Sequence, residues 1–96
     1  MTESRIEKKF TRELKALGCL VYKFVSPGNA GVPDRLVIYP DGTVAFIELK
    51  TEQGKASPAQ EYQITKLRRQ GVPCHILHGI GEVEEYLMDA REVLQR

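Results

Sequence analysis

The sequence has no tryptophan, two cysteines and few aromatic residues of any kind, 7% of its 96 positions. Cys19 and Cys74 lie far apart, each beside apolar residues. That pattern does not read as a disulfide framework or a zinc site, and reduced thiols in the cytoplasm are the simpler reading. No stretch approaches the roughly 18 apolar residues that a membrane span needs. Residues 1–9 are mainly polar and charged, so a secretory signal is not expected. An excess of one charge is missing as well: 14 Lys and Arg stand against 13 Asp and Glu, a formal net charge of +1. Uniform basicity therefore gives no argument for nucleic acid, and any such argument must come from where the charges sit. Repeats, low-complexity tracts and linkers are also lacking. A chain with 42% hydrophobic and 28% charged residues is ordinary globular material. Residues 1–96 are thus expected to form a single intracellular domain with one modest core.

What is present reads as closely spaced elements. Ile6, Phe10, Leu14 and Leu17 fall on one stripe and predict a helix over 4–17. Ser4 and Glu7 have capping-box spacing, and Gly18 fits the stop. Cys19–Val25 is strand-like and ends in the loop Ser26 to Gly31. Asp34–Tyr39 and Thr43–Lys50 flank Pro40-Asp41-Gly42 and predict a hairpin. Ser57 caps a helix that opens on Pro58 and runs to about Gln70, before Gly71. Pro73–His78 reads as a strand, 79–81 as a break, and Glu82–Leu94 as a final helix. The order is α-β-β-β-α-β-α, a mixed sheet flanked by helices. The third and fourth strands are expected to be parallel, joined through the long helix. Tyr22 and Tyr39, at strand spacing, are read as core. His75 and His78 point to opposite faces and do not suggest a shared metal. Tyr86 is assigned to helix packing and Met88 to the surface.

The hairpin carries the chemistry. If Pro40, Asp41 and Gly42 form the loop, Tyr39 faces Thr43, and five residues back on each strand Asp34 faces Glu48. Directly opposed Cβ atoms lie about 4.5–5.5 Å apart. Lys50, two residues beyond Glu48, shares its face. Two carboxylates that close repel, and one is driven to hold a proton unless a cation sits between them. A divalent metal meets that condition, with Mg²⁺ the natural choice for oxygen ligands. A metal, an activated water and a nearby cation are the parts that phosphodiester hydrolysis needs. A lone Glu-x-Lys is usually a solvated strand face, and Asp after Pro is usually a turn residue. Here the charges stand on the mainly apolar strand Val44-Ala45-Phe46-Ile47-Glu48-Leu49-Lys50, where unpaired charge is costly.

Gly31-Val32-Pro33-Asp34, the hairpin, and Phe46-Ile47-Glu48-Leu49-Lys50 together resemble the PD-(D/E)xK nuclease superfamily. The closer resemblance is to the VRR-NUC family, whose pattern is an initial helix with Glu, Gly-x-Pro-Asp, Glu-x-Lys, and a Gln early in the next helix. Gln60 occupies that last place. The resemblance runs from Ile6 to about Leu87. It implies a restriction-endonuclease-like α/β fold and a DNA endonuclease using Mg²⁺ or Mn²⁺. Asp34, Glu48 and the Leu49 carbonyl would bind the metal, Lys50 would serve the attacking water, and Gln60 would stand at the rim. Gln60 also completes a capping box with Ser57, so either role fits. Glu7 is the first-helix candidate on the resemblance; Glu3 and Glu13 satisfy the same helical wheel, and capping with Ser4 competes. Free-standing members resemble Holliday-junction resolvases that act as homodimers on branched DNA, and the likeness also suggests a phage origin. A monomeric nicking or flap nuclease is the first alternative. A binding subunit that does not cut is the second.

For holding DNA, the loop residues Ser26, Gly28, Asn29 and Gly31, together with Arg35 and Lys55, flank the expected metal. Backbone amides in a glycine-rich loop contact phosphates without reading sequence. The first helix also carries Lys8, Lys9, Arg12 and Lys15, and the second Lys66, Arg68 and Arg69. Charge runs of this kind are usually solvated faces. Groove-reading helices and zinc fingers are lacking, which points to shape rather than sequence recognition.

Overall fold

The computed structural model describes residues 2–95. Its elements are α1 (Glu3–Ala16), β1 (Leu20–Lys23), β2 (Arg35–Ile38), β3 (Val44–Lys50), α2 (Pro58–Arg69), β4 (Cys74–His78) and α3 (Gly79–Leu94). The succession matches the expected one. The strands form one sheet in the order β1-β2-β3-β4, with β1–β2 and β2–β3 antiparallel and β3–β4 parallel. The parallel pair follows from the crossover through α2. Among the described residues, no helix is long and apolar enough to cross a membrane.

Side-chain alternation sorts the sheet into two faces. Val21, Val37, Ile47, Leu49 and Leu77 turn to one face and meet Ile6, Phe10 and Leu14 of α1 and Val83, Leu87 and Ala90 of α3. Phe10, Leu14, Ile47 and Leu87 have no exposed surface; burying each contributes about 1.5–3 kcal/mol. On the other face α2 packs against β4, where Ile64 and Cys74 are buried. Both cysteines are free and buried. The cover from α2 does not reach β1, so Leu20 and Tyr22 stand 50% and 51% exposed. Tyr22 is therefore not core, contrary to the expectation from its spacing. Alternation fixed which face it takes but could not reveal that this face lacks a lid.

Two helix starts also differ from expectation. The Ser4–Glu7 capping box does not form, because α1 begins earlier: the Thr2 hydroxyl accepts from the Arg5 amide at 3.3 Å. Ser4 and Glu7 are then both inside the helix. Residues 79–81 are not a break but the first turn of α3. Gly79 has φ +72°, and a Cβ there would lie 2.4 Å from Glu52 Cγ. The glycine serves a close approach of the 51–53 loop. Gly81 weakens the helix by about 1 kcal/mol relative to Ala, which burial of Val83 and Leu87 outweighs.

Candidate active site

The β2–β3 hairpin sets the site. Arg35 pairs with Ile47 and Ile38 with Val44, and the Tyr39 amide donates to the Thr43 carbonyl at 2.8 Å. Thr43 in turn donates its amide to Asp41 Oδ1 at 2.8 Å, closing the Pro40-Asp41-Gly42 turn. One step before β2, the same register brings Asp34 opposite Glu48. The Asp34 carbonyl accepts from the Phe24 amide at 2.8 Å, so β1 holds the backbone of Asp34 from its other side.

Glu48 is 9% exposed, whereas Asp34 lies at the surface. Burial pushes the Glu48 carboxyl above its ordinary range, and the Asp34 charge adds to the effect; Lys50, the Asp34 amide and Arg35 pull the other way. Lys50 Nζ stands 3.9 Å from Glu48 Oε2. Phe24 and Phe46 pack edge to face at 5.3 Å. Phe46 shares the face of Glu48, and Phe24 lies level with Asp34, so the rings wall the acids on one side. The contribution of Phe24 is absent from the sequence-based reading, although strand alternation carried one residue further gives it.

The phase of the ladder bears on the Leu49 carbonyl. In an antiparallel ladder, hydrogen-bonded pairs alternate with non-bonded ones. With Tyr39–Thr43 a bonded pair, Leu49 falls opposite Pro33 in the bonded phase. Proline has no N–H to give, so the Leu49 carbonyl meets no ladder donor there. Two facing carboxylates, one of them buried with its carboxyl pushed up, and a carbonyl beside them are a donor set that suits a divalent cation. Among the described residues no group of three or more His, Cys, Asp or Glu gathers at one place. Water and substrate oxygens would have to supply the remaining ligands.

A description of the VRR-NUC domain matches residues 2–80. The chain belongs to the VRR-NUC family. A solved structure of a VRR_NUC domain superposes with a TM-score of 0.83 at 32% identity, covering 90% of this chain and 94% of that one. A second, a VRR_NUC domain protein, gives 0.71 at 18% identity over 97% and 90%, a likeness of fold alone. A protein of Acyrthosiphon pisum secondary endosymbiont phage 1, named "Putative nuclease p44", is 48% identical over 58 residues. That match spans 60% of this chain and 62% of the phage protein. VRR-NUC is a nuclease family, and the mixed sheet with flanking helices is its fold.

The remaining positions of the VRR-NUC pattern are distributed as follows. Gly31 has φ +91°, and a Cβ on it would lie 2.4 Å from both the carbonyl carbon and oxygen of Ala59. Its missing side chain lets the Gly31–Asp34 segment rest on the first turn of α2, with Pro33 fully buried. Gln60 stands in that turn. Its Oε1 accepts from the Ser57 amide at 2.9 Å, while its own amide donates to Ser57 Oγ at 3.2 Å. The capping box is complete, and Gln60 is held beside the loop that carries Asp34. Glu7 is not among the groups brought together. Its carboxylate pairs with Arg35, whose side chain is 6% exposed. Arg35 follows Asp34 and so turns to the opposite face of the sheet, toward α1. Gly28 and Asn29 lie at the surface. The Asn29 amide donates to the Ser26 carbonyl and its Nδ2 to Ser26 Oγ, shaping the turn. Lys55 is exposed in the 51–57 connection.

Proposed function

We propose that this chain is a metal-dependent DNA endonuclease that hydrolyses phosphodiester bonds with Asp34, Glu48 and Lys50. One observation carries the reading: the hairpin register that sets Asp34 opposite a buried Glu48, with the Lys50 ammonium 3.9 Å from its carboxylate. Binding alone needs no pair of opposed acids. Asp34, Glu48 and the Leu49 carbonyl would hold Mg²⁺ or Mn²⁺, which when bound polarises the phosphate and makes its water more acidic. Lys50 orients the attacking water and offsets charge that develops on the phosphate. Gln60 stands at the rim through its Nε2, the end its cap leaves unused. Glu7 acts at one remove, fixing Arg35 beside Asp34. Ser26, Gly28, Asn29 and Gly31 meet the DNA backbone through the loop, with Lys55 on the other flank.

The preferred substrate is branched DNA of the Holliday-junction type, cut by a homodimer with one site per subunit. Leu20 and Tyr22, half exposed on the face that α2 leaves uncovered, supply apolar surface for association of two copies. The test is a panel of four-way junctions, flaps and linear duplexes incubated with and without Mg²⁺ or Mn²⁺, alongside a solution mass. Cation-dependent nicking is expected, strongest on junctions, and lost in Asp34→Asn and Lys50→Ala while binding persists. Tight binding with no nicking under either cation would overturn the catalytic reading. A monomeric mass with equal cutting of flaps would overturn the resolvase-like one.

A further inference from the structure

The strongest feature outside the acid pair is a groove of about 490 Å³ between α1 and the start of β2. Glu7, Lys8, Thr11, Arg12, Lys15 and Arg35 line it. Four cations thus face one carboxylate, a local excess of three positive charges in a chain whose net charge is +1.

Basic residues on a helix are ordinarily a solvated face, and α1 itself shows how such charge is absorbed. On its other flank Lys9 pairs with Glu13 at 2.8 Å and with Glu84 at 3.0 Å, and Glu13 also receives Arg91 at 2.9 Å. Lys8, Arg12 and Lys15 have no acidic partner within ion-pair distance among the described residues. At ~100° per residue they fall within about 60° of one another, and at ~1.5 Å per residue they span about 10 Å. Like charges at this spacing repel along a helix, and no ion pair among the described residues relieves them. On the groove's floor, Arg35 is nine-tenths buried. Its Nη2 meets Glu7 while its Nη1 lacks any hydrogen-bond acceptor. The buried Nη1 is closed to direct contact, so Arg35 adds positive potential beneath a row of three exposed cations, an arrangement that attracts phosphate.

The groove opens at the Asp34 end of β2, on the α1 face of the sheet. Asp34 and Arg35 are consecutive, so the acids and the groove flank the two sides of the same strand end. We infer that this groove is a phosphate track: Lys8, Arg12 and Lys15 grip the DNA backbone beside the scission site without reading sequence. The inference rests on the nuclease reading for its substrate, yet binding tests it separately from cleavage.

The experiment compares the whole chain with the Lys8→Gln/Arg12→Gln/Lys15→Gln variant. Anisotropy of a labelled duplex and a labelled four-way junction is followed in Ca²⁺ over a salt series, with thermal melts to verify folding. All three side chains are exposed and their like charges repel, so the variant should melt at or slightly above the parent. Each phosphate neutralised contributes about 0.9 to the slope of log affinity against log salt. The variant should therefore show a slope shallower by about 2 to 3, and at least tenfold weaker binding on both DNAs at moderate salt. A Lys66→Gln/Arg69→Gln variant, exposed on α2, should bind as the unaltered chain does. An unchanged slope in the α1 variant, an equal loss per charge in the α2 control, or no DNA binding by the unaltered chain would each overturn the track. Groove-dependent binding by a chain that never nicks would keep the track and refute the nuclease.

Discussion

Replacing Gly31 by alanine tests how the acid-bearing loop is supported. The added methyl would lie 2.4 Å from two backbone atoms of Ala59 and 2.7 Å from the Gln60 nitrogen. Backbone in the first turn of a capped helix cannot swing aside as a flexible side chain does. Overpacking of this kind costs about 1–3 kcal/mol. The backbone also sits at φ +91°, where a Cβ costs about 1–2 kcal/mol. The sum is roughly 2–5 kcal/mol, or a fall in Tm of at least about 10 °C for a chain of this size. Gly28 provides the internal control. It has φ +82° but nothing within 4 Å, so Gly28→Ala should show the conformational part alone, about 1–2 kcal/mol. Urea unfolding of both variants isolates the contact as their difference. Cleavage should also fall in Gly31→Ala below the unfolding range, because α2 and Asp34 are forced apart. Equal destabilisation of the two variants, or a Gly31→Ala chain within 0.5 kcal/mol of the parent, would refute this account of the loop.

Burial and the neighbouring Asp34 charge hold the Glu48 carboxyl above its ordinary range. A carboxyl raised on folding keeps its proton more tightly in the folded chain, so stability declines as pH rises from the unfolded value through the raised one. In EDTA, Tm should drop across that window, and Glu48→Gln should remove this component. Mg²⁺ should raise the Tm of the parent and leave that of Glu48→Gln unchanged; superimposable pH profiles would argue against facing acids. At the first turn of α2, Ser57→Ala should cost about 1 kcal/mol with cleavage largely kept. Gln60→Glu preserves the capping-box pattern and should keep Tm while slowing cleavage, measured on a four-way junction. Full activity in Gln60→Glu would make that residue a helix cap and nothing more.

Much of the hairpin was legible because its turn is short. Pro40-Asp41-Gly42 fixes one register, and a register fixes every opposed pair on both strands. The order of elements followed from periodicity, and the Ser57-Pro58 start from capping chemistry. What escaped the sequence depends on packing between distant segments. Ser4 and Glu7 satisfied the capping-box pattern, whereas Thr2 caps α1 with its hydroxyl alone and the buried Arg35 engages Glu7. Two glycines in three residues looked like a helix break, since the approach of Glu52 to Gly79 is a tertiary contact. Arg35 was expected to flank the metal at the surface, although its place directly after Asp34 already assigned its side chain to the other face. Tyr22 looked like core because no sequence rule tells how far along a sheet a single helix extends its cover.

The acids at positions 34 and 48 come from adjacent strands joined by three residues, so their meeting depends on the most local contact in the sheet. Closing so short a loop sacrifices little chain entropy, and hairpins of this type form on a scale of about 1–10 μs. The parallel strand β4 can join only after the whole α2 excursion has returned. Chain topology therefore lets the reactive pair assemble as a self-contained seed, with the later elements added around it. Drift in β4 or α3 would then alter how long the molecule survives before it changes the distance between its two carboxylates.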